Sequence, residues 1–248
     1  MKNLLILSLI FLVFTPVHSQ SKIQIEKERA LYRDNKVKKE TITSTDGSKE
    51  IFKYNKKGNP VESRMYNPDK SEANITKYFY DEFDNLMKVS YKGLESGDLT
   101  ETDYYYDESG NVIRLFVLGG DYDELRFIYD NQGNLIQEIA NDLSETAGPP
   151  DFYNYINRYS NGELVSVENE CTLTSESVSI TKYIYTQSNL TEVNVFDKNC
   201  STGNLTLYSK ETFLYYENSL IKEQTYYSTY SDGERTFTYS YEFYWVFQ

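Results

Sequence analysis

The 248 residues contain a single histidine, His18. It stands just after an almost wholly apolar run, Leu4 to Phe14, that is preceded by Lys2 and broken by Pro16. Val17 and Ser19 put small residues at the −3 and −1 positions of a cleavage point before Gln20. This pattern predicts a signal peptide over residues 1–19 and an exported chain over 20–248. His18 leaves with the leader, so the exported chain has no imidazole for a Ser-His-Asp or Cys-His device. The chemistry left open is that of carboxylates and cysteines. A carboxylate pair can hydrolyse a glycosidic bond, but the 38 acidic residues are spread through turns and connectors and no spacing marks one pair.

Three of those acids, Asp121, Asp123 and Glu124, cluster behind Gly119-Gly120. Calcium takes such oxygen ligands. The segment matches neither an EF-hand loop nor a full glycine-rich calcium repeat, so it reads as a solvated connector, with calcium left open. No cofactor is expected. Cys171 and Cys200 read as a disulfide in an oxidising compartment, with two buried thiols as the alternative. Two Cys without His make a poor zinc site.

The apolar run at the start is too short for a membrane span. The expected address is therefore outside the cytoplasm: periplasmic, cell-surface or secreted. Net charge is −13, and loss of Lys2 makes it −14. A surface this acidic repels phosphate backbones, which excludes nucleic acid as a partner, and anionic membranes.

The elements that must carry any such chemistry are strands. There are 25 Tyr and 13 Phe, and aromatic and β-branched residues suit pleated, half-buried surfaces. A unit recurs, clearest as Tyr106-Asp107-Glu108-Ser109-Gly110-Asn111-Val112 and Tyr129-Asp130-Asn131-Gln132-Gly133-Asn134-Leu135. Copies anchor on Tyr32, Tyr54, Tyr80, Tyr106, Tyr129, Tyr159, Tyr185, Tyr215 and Tyr239, spaced 22 to 30 residues apart. Each reads as strand, tight turn, strand, and the ninth as a plain terminal strand that includes Trp245. Gly58, Gly110, Gly133 and Gly162 offer the positive φ such turns need, and Asp84 and Asn218 occupy comparable places. Asp107 and Asp130 follow the Tyr and can accept bonds from turn amides as Asx turns. Asp107, Gly110, Asn111, Asp130, Gly133 and Asn134 are thus turn chemistry rather than a binding motif. Within a strand such as Lys77-Tyr78-Phe79-Tyr80, Tyr78 and Tyr80 share one face and Phe79 takes the other. A lipid-facing barrel would need one consistently apolar face, and Lys, Glu, Thr and Asn interrupt both.

The Tyr-Asp pairs at Tyr80, Tyr106 and Tyr129, with Gly110-Asn111-Val112 and Gly133-Asn134-Leu135, resemble the YD repeats of the RHS family. Units such as Tyr159-Ser160-Asn161-Gly162-Glu163-Leu164 look equally like short hairpin repeats of small exported bacterial proteins. The resemblance implies a bacterial, extracytoplasmic protein built of β-hairpins. Large RHS proteins wrap many repeats into a shell around a C-terminal toxin. That function is not carried over, because 248 residues are too few for the shell.

The fold expected is all-β, with tandem antiparallel hairpins forming an extended twisted sheet or an open β-solenoid. A sub-block boundary is expected near residues 143–151, where Gly148-Pro149-Pro150 interrupts the pattern. The function expected is a non-enzymatic repeat protein presenting a binding or scaffold surface to a protein or glycan. A secreted carbohydrate-active enzyme using a carboxylate pair is the alternative.

Overall fold

The computed structural model describes residues 22–118, 124–131, 133, 135–141, 151–160, 163–171, 176–187, 189–229 and 234–244. The leader and the Trp245 terminus lie outside them. So do Asp121, Asp123, Asn134, Gly162 and most of the stretch over 143–151. One helix, α1 (Lys22–Asp34), opens the described chain. Sixteen strands follow: β1 (Val37–Ser44), β2 (Lys49–Tyr54), β3 (Pro60–Tyr66), β4 (Glu72–Tyr80), β5 (Leu86–Gly93), β6 (Leu99–Tyr106), β7 (Val112–Leu118) and β8 (Glu124–Tyr129), then β9 (Leu135–Asn141), β10 (Asp151–Ser160), β11 (Glu163–Asn169), β12 (Ser177–Thr186), β13 (Asn189–Asn199), β14 (Leu205–Tyr215), β15 (Ile221–Ser228) and β16 (Arg235–Phe243). Every strand pairs antiparallel with its neighbours in sequence, and β16 pairs with β1, so the sheet is a closed barrel.

This corrects the expected open solenoid or extended twisted sheet. The reason lies in the repeat itself. In each of the seven continuous hairpins the register shifts at the repeat Tyr: Tyr54, Tyr80, Tyr106, Tyr129, Tyr159, Tyr185 and Tyr215. A bulge bends its strand and adds twist. Seven bulges in the same place curl the sheet until its two edges meet. Closure then pairs the edge groups that an open sheet would leave exposed. The eighth hairpin is assembled from the two ends of the chain. Its return strand begins at Val37, which pairs with Phe243. β9 and β10 also pair, Ala140 opposite Asp151, so the ladder runs across the proline-rich connector.

Tyr32 does not belong to a hairpin. It lies in α1, whose stretch Glu26-Lys27-Glu28-Arg29-Ala30-Leu31 consists of good helix formers. The helix stops where Asn35 returns its amide to Leu31 O (3.1 Å) and Lys36 takes φ 57°. It sits at the end of the barrel that carries the short turns. The seat is Gly58, at φ +85°, where a Cβ would lie 2.3 Å from Arg29 O. Two apolar clusters line the interior behind it. One joins Tyr32, Val37, Ile42, Phe52, Tyr54, Leu220, Tyr226, Phe237 and Tyr239; the other joins Tyr104, Val112, Leu115, Phe127 and Leu135.

Candidate functional site

Alternation sorts the side chains into two very different surfaces. The outer wall is laced with ion pairs between and along its strands. Lys53 meets Glu62 at 2.7 Å, Arg64 meets Glu72 at 2.9 Å and Lys88 meets Glu101 at 3.0 Å. Arg126 meets Glu124 at 2.9 Å and Lys210 meets Glu192 at 2.6 Å, while Lys39–Glu242 and Lys198–Glu168 continue the belt. Exposed apolar residues such as Phe79, Tyr105 and Ile128 flank the bulges, but Lys88 and Arg114 stand opposite Phe79 and Tyr105 in the ladder. Charged and apolar residues thus stand side by side on the described outer wall. Among the described residues no helix is long and apolar enough to cross a membrane.

The inner wall is built of tyrosines and carboxylates. Three repeat tyrosines, and Tyr241 of β16, reach back to the preceding hairpin and donate to the carbonyl that opens its return strand. Tyr106 Oη bonds Leu86 O (2.9 Å), Tyr129 Oη bonds Val112 O (2.7 Å), Tyr215 Oη bonds Leu190 O (2.6 Å) and Tyr241 Oη bonds Ile221 O (2.9 Å). Rings also stack, as between Tyr32 and Tyr54 with centroids 4.5 Å apart.

Glu40, Glu50 and Glu211 are buried on this inner face. Glu40 is fully enclosed and accepts from Tyr32 Oη (3.1 Å) and Tyr54 Oη (2.8 Å). Burial raises its pKa, and the tyrosine hydroxyls only partly offset this. Glu211 is pushed up to about 7 by burial, against a bond from Gln224 Nε2 at 2.9 Å. Gln224 Oε1 accepts in turn from Tyr239 Oη at 2.5 Å. Tyr239 is raised by its own burial and by the charges of Glu40, Glu211 and Glu50. Glu50 stands apart from the other two. It is 8 % exposed and raised to about 8 by burial, an effect the neighbouring Ser63 hydroxyl offsets and Glu40 reinforces. The Ser63 hydroxyl lies beside both the Glu50 carboxyl and Tyr78. Glu40 and Glu50 are diagonal neighbours, since Glu40 pairs with Phe52 and Ile42 with Glu50.

The turn residues sit at the short-turn end, away from this cluster. Asp107 Oδ1 accepts from Asn111 N (2.8 Å), and Asn111 Nδ2 returns a bond to Asp107 Oδ2 (3.1 Å). The clasp therefore spans four residues and uses the Asn side chain. Asp81 and Asn85 repeat it. Gly110 and Gly133 take φ 82° and 81°, and their amides bond Asp107 O and Asp130 O. In the turn after Tyr215 it is Ser219, not Asn218, that is left-handed, at φ 64°. Glu124, the one described member of the acidic connector, is clamped by Arg114, Arg126 and Asn141. Among the described residues no group of three His, Cys, Asp or Glu is arranged to hold a metal ion. Cys171 and Cys200 form a disulfide, Cα–Cα 5.8 Å, between the connectors that follow β11 and β13.

Glu40, Glu50 and Glu211 escaped the sequence reading because each lies in a strand among many acids. One signal was present: Glu50 precedes Ile51-Phe52, and strand alternation puts it on the face of Phe52 and Tyr54.

No protein-family model matches this chain, and no curated protein does. Solved structures similar to it include TcdB2-TccC3-Cdc42, 14 % identical with a TM-score of 0.33, over 79 % of this chain and 13 % of that one. The Photorhabdus luminescens Tc holotoxin pore with a TccC3 mutation is 14 % identical with a TM-score of 0.31, over 75 % and 12 %. This chain thus spans about an eighth of the length of those two. A porin-like protein from Bacteroides uniformis is 10 % identical with a TM-score of 0.36, over 84 % of this chain and 97 % of that one. These likenesses assign the chain to no family.

Proposed function

We propose that this chain is an exported, non-enzymatic barrel that binds part of a protein or glycan against its inner wall. The observation that carries this reading is the sorting of charge. Outside, acids and bases are paired; inside, tyrosines line the wall beside Glu40, Glu50 and Glu211, none of which forms an ion pair among the described residues. Inward-facing Thr76, Tyr78, Thr102 and Tyr183 keep part of their surface open, which supports an interior that admits a ligand. Sixteen strands leave room for one, since barrels of that size enclose an aqueous channel. Export is supported by the leader sequence over 1–19 and by the disulfide. The Asp–Asn turn clasp supports kinship with YD repeats. The binding surface lies inside rather than on the outer wall, because the tyrosines of each repeat point inward.

A glycan and peptide panel tests the proposal. It is read by calorimetry against the wild type and against Thr102→Trp, which puts an indole into the interior beside Val89 and Val117. Binding by the wild type that is lost in a folded Thr102→Trp variant is the expected result. Turnover of any panel member would overturn the non-enzymatic reading, and binding indifferent to Thr102→Trp would overturn the interior one.

A further inference from the structure

We infer that the outer wall over β4–β9 is an interface at which two copies of this chain associate about a twofold axis, with their strands antiparallel. This goes beyond the proposed interior binding and does not rest on it.

The first observation is an apolar run on one side of the barrel. Leu86, Val112, Leu135, Tyr106 and Tyr129 all belong to, or pack on, the interior cluster around Leu115. Strand alternation turns their chain neighbours outward. Those neighbours are Met87, Ile113, Ile136, Tyr105 and Ile128, and Phe79 takes the same place before Tyr80. Each of the six is between 38 % and 47 % exposed. The bulges bring them into one row across six adjacent strands. Beyond β9 the same row holds Arg158, Thr191 and Lys222, with Ile184 and Leu214 standing singly between them. A lipid-facing barrel carries its apolar band all the way round, whereas a one-sided run suits a single partner.

The second is area. Phe83, at the turn beyond Phe79, is 75 % exposed and extends the run. With roughly 150–250 Å² for a whole aromatic side chain, the seven residues expose on the order of 600 Å², the upper end of what a monomer leaves in one patch. That is most of the ~800 Å² that each partner buries in a stable complex.

The third is the order of charge along the strands. Glu82 and Glu108 stand exposed at the turns on one side of the run, and Lys77, Lys88, Arg114 and Arg126 stand on the other. From the short-turn end the order is acid, apolar, base. A twofold axis through the run reverses that order in the second copy, so the acidic turns of each meet the bases of the other. A parallel arrangement would set acids against acids.

Sedimentation velocity on the full exported chain, disulfide intact, reads the association over a wide range of concentration. A monomer–dimer equilibrium is expected. Ile128→Asn should weaken it by roughly tenfold or more. Leu214→Asn replaces a side chain that is 57 % exposed but lies outside the run, and should leave it unchanged. Glu82→Lys with Glu108→Lys should dissociate the dimer, and so should Lys77→Glu. The two charge-reversed proteins, each monomeric alone, should associate when mixed, because every reversed contact then finds its opposite. A melt confirms that each variant folds. A monomer at every concentration would overturn the inference, as would equal losses in Ile128→Asn and Leu214→Asn. Charge-reversed proteins that dimerise alone, or fail to associate when mixed, would overturn the antiparallel arrangement. Pelleting of the monomer with phosphatidylcholine vesicles, lost in Ile128→Asn, would give the run to a lipid surface instead.

Discussion

Tyr129 Oη donates to the carbonyl of Val112 at 2.7 Å, so the residue that closes one hairpin is fastened to the first residue of the previous hairpin's return strand. Val112 is 1 % exposed, and the latch recurs at Tyr106, Tyr215 and Tyr241. Tyr106, Tyr129 and Tyr215 therefore each do two jobs: each marks the bulge that curves its own hairpin and bonds that hairpin to its neighbour.

Tyr129→Phe keeps the ring and removes only the bond. A neutral hydrogen bond is worth about 1 kcal/mol, and a buried carbonyl left without its partner costs somewhat more. Urea unfolding should show a loss of about 1–2 kcal/mol. Tyr105→Phe, on the exposed outer wall beside Arg114, should show almost none. Equal losses at the two positions would remove the latch from the account.

Gly58 separates two effects that glycines often combine. Its φ is +85°, and an added Cβ would also strike Arg29 O and Arg33 N of α1. Gly203 has φ +72° with nothing within 4 Å. Gly203→Ala should cost about 1 kcal/mol from backbone strain alone. Gly58→Ala should cost more and should loosen α1 from the barrel. Limited proteolysis between α1 and β1 would read this as faster cleavage in Gly58→Ala only.

Cys171 and Cys200 are separated by 29 residues. On the loop-entropy model such a link stabilises by roughly 3–4 kcal/mol. Reduction, or Cys171→Ser with Cys200→Ser, should lower the melting temperature without changing the circular dichroism of the folded state. An unchanged melting temperature would show that strand pairing alone holds these connectors.

Stability should fall as pH rises across neutrality. Glu211 and Glu50 are raised to about 7 and about 8 in the folded barrel, against about 4.3 for an unfolded Glu. Between those values the unfolded chain has given up protons that the folded chain retains, so unfolding gains ground with increasing pH. The contribution is full below about pH 4.3, shrinks through neutrality and levels off above about pH 8. Melting temperature measured from pH 5 to 9 should decline, and the decline should be shallower in Glu211→Gln and Glu50→Gln. A wild-type profile that is flat or rising would contradict the burial of these two groups in an uncharged setting.

How much of this was legible in the chain follows from the range of each interaction. The turns are local: Asp107, Gly110 and Asn111 lie within five residues, and their spacing was enough to name the hairpin and its direction. The division of each strand into two faces was equally legible, because alternation is local too, and Tyr78 and Tyr80 lie opposite Phe79 as the period of two requires; which face turns inward was decided by closure. The disulfide was open in the sequence, since two cysteines in an exported chain permit a bridge without compelling one. Closure was not legible at all. It depends on the sum of small bends at seven bulges and on a pairing between Val37–Ser44 and Arg235–Phe243, some 200 residues apart. The same holds for Glu40, Glu50 and Glu211. Nothing in their local sequence distinguishes them from the acids of the connectors. Only the closed wall takes them out of water, and that removal gives them chemistry that the other acids lack.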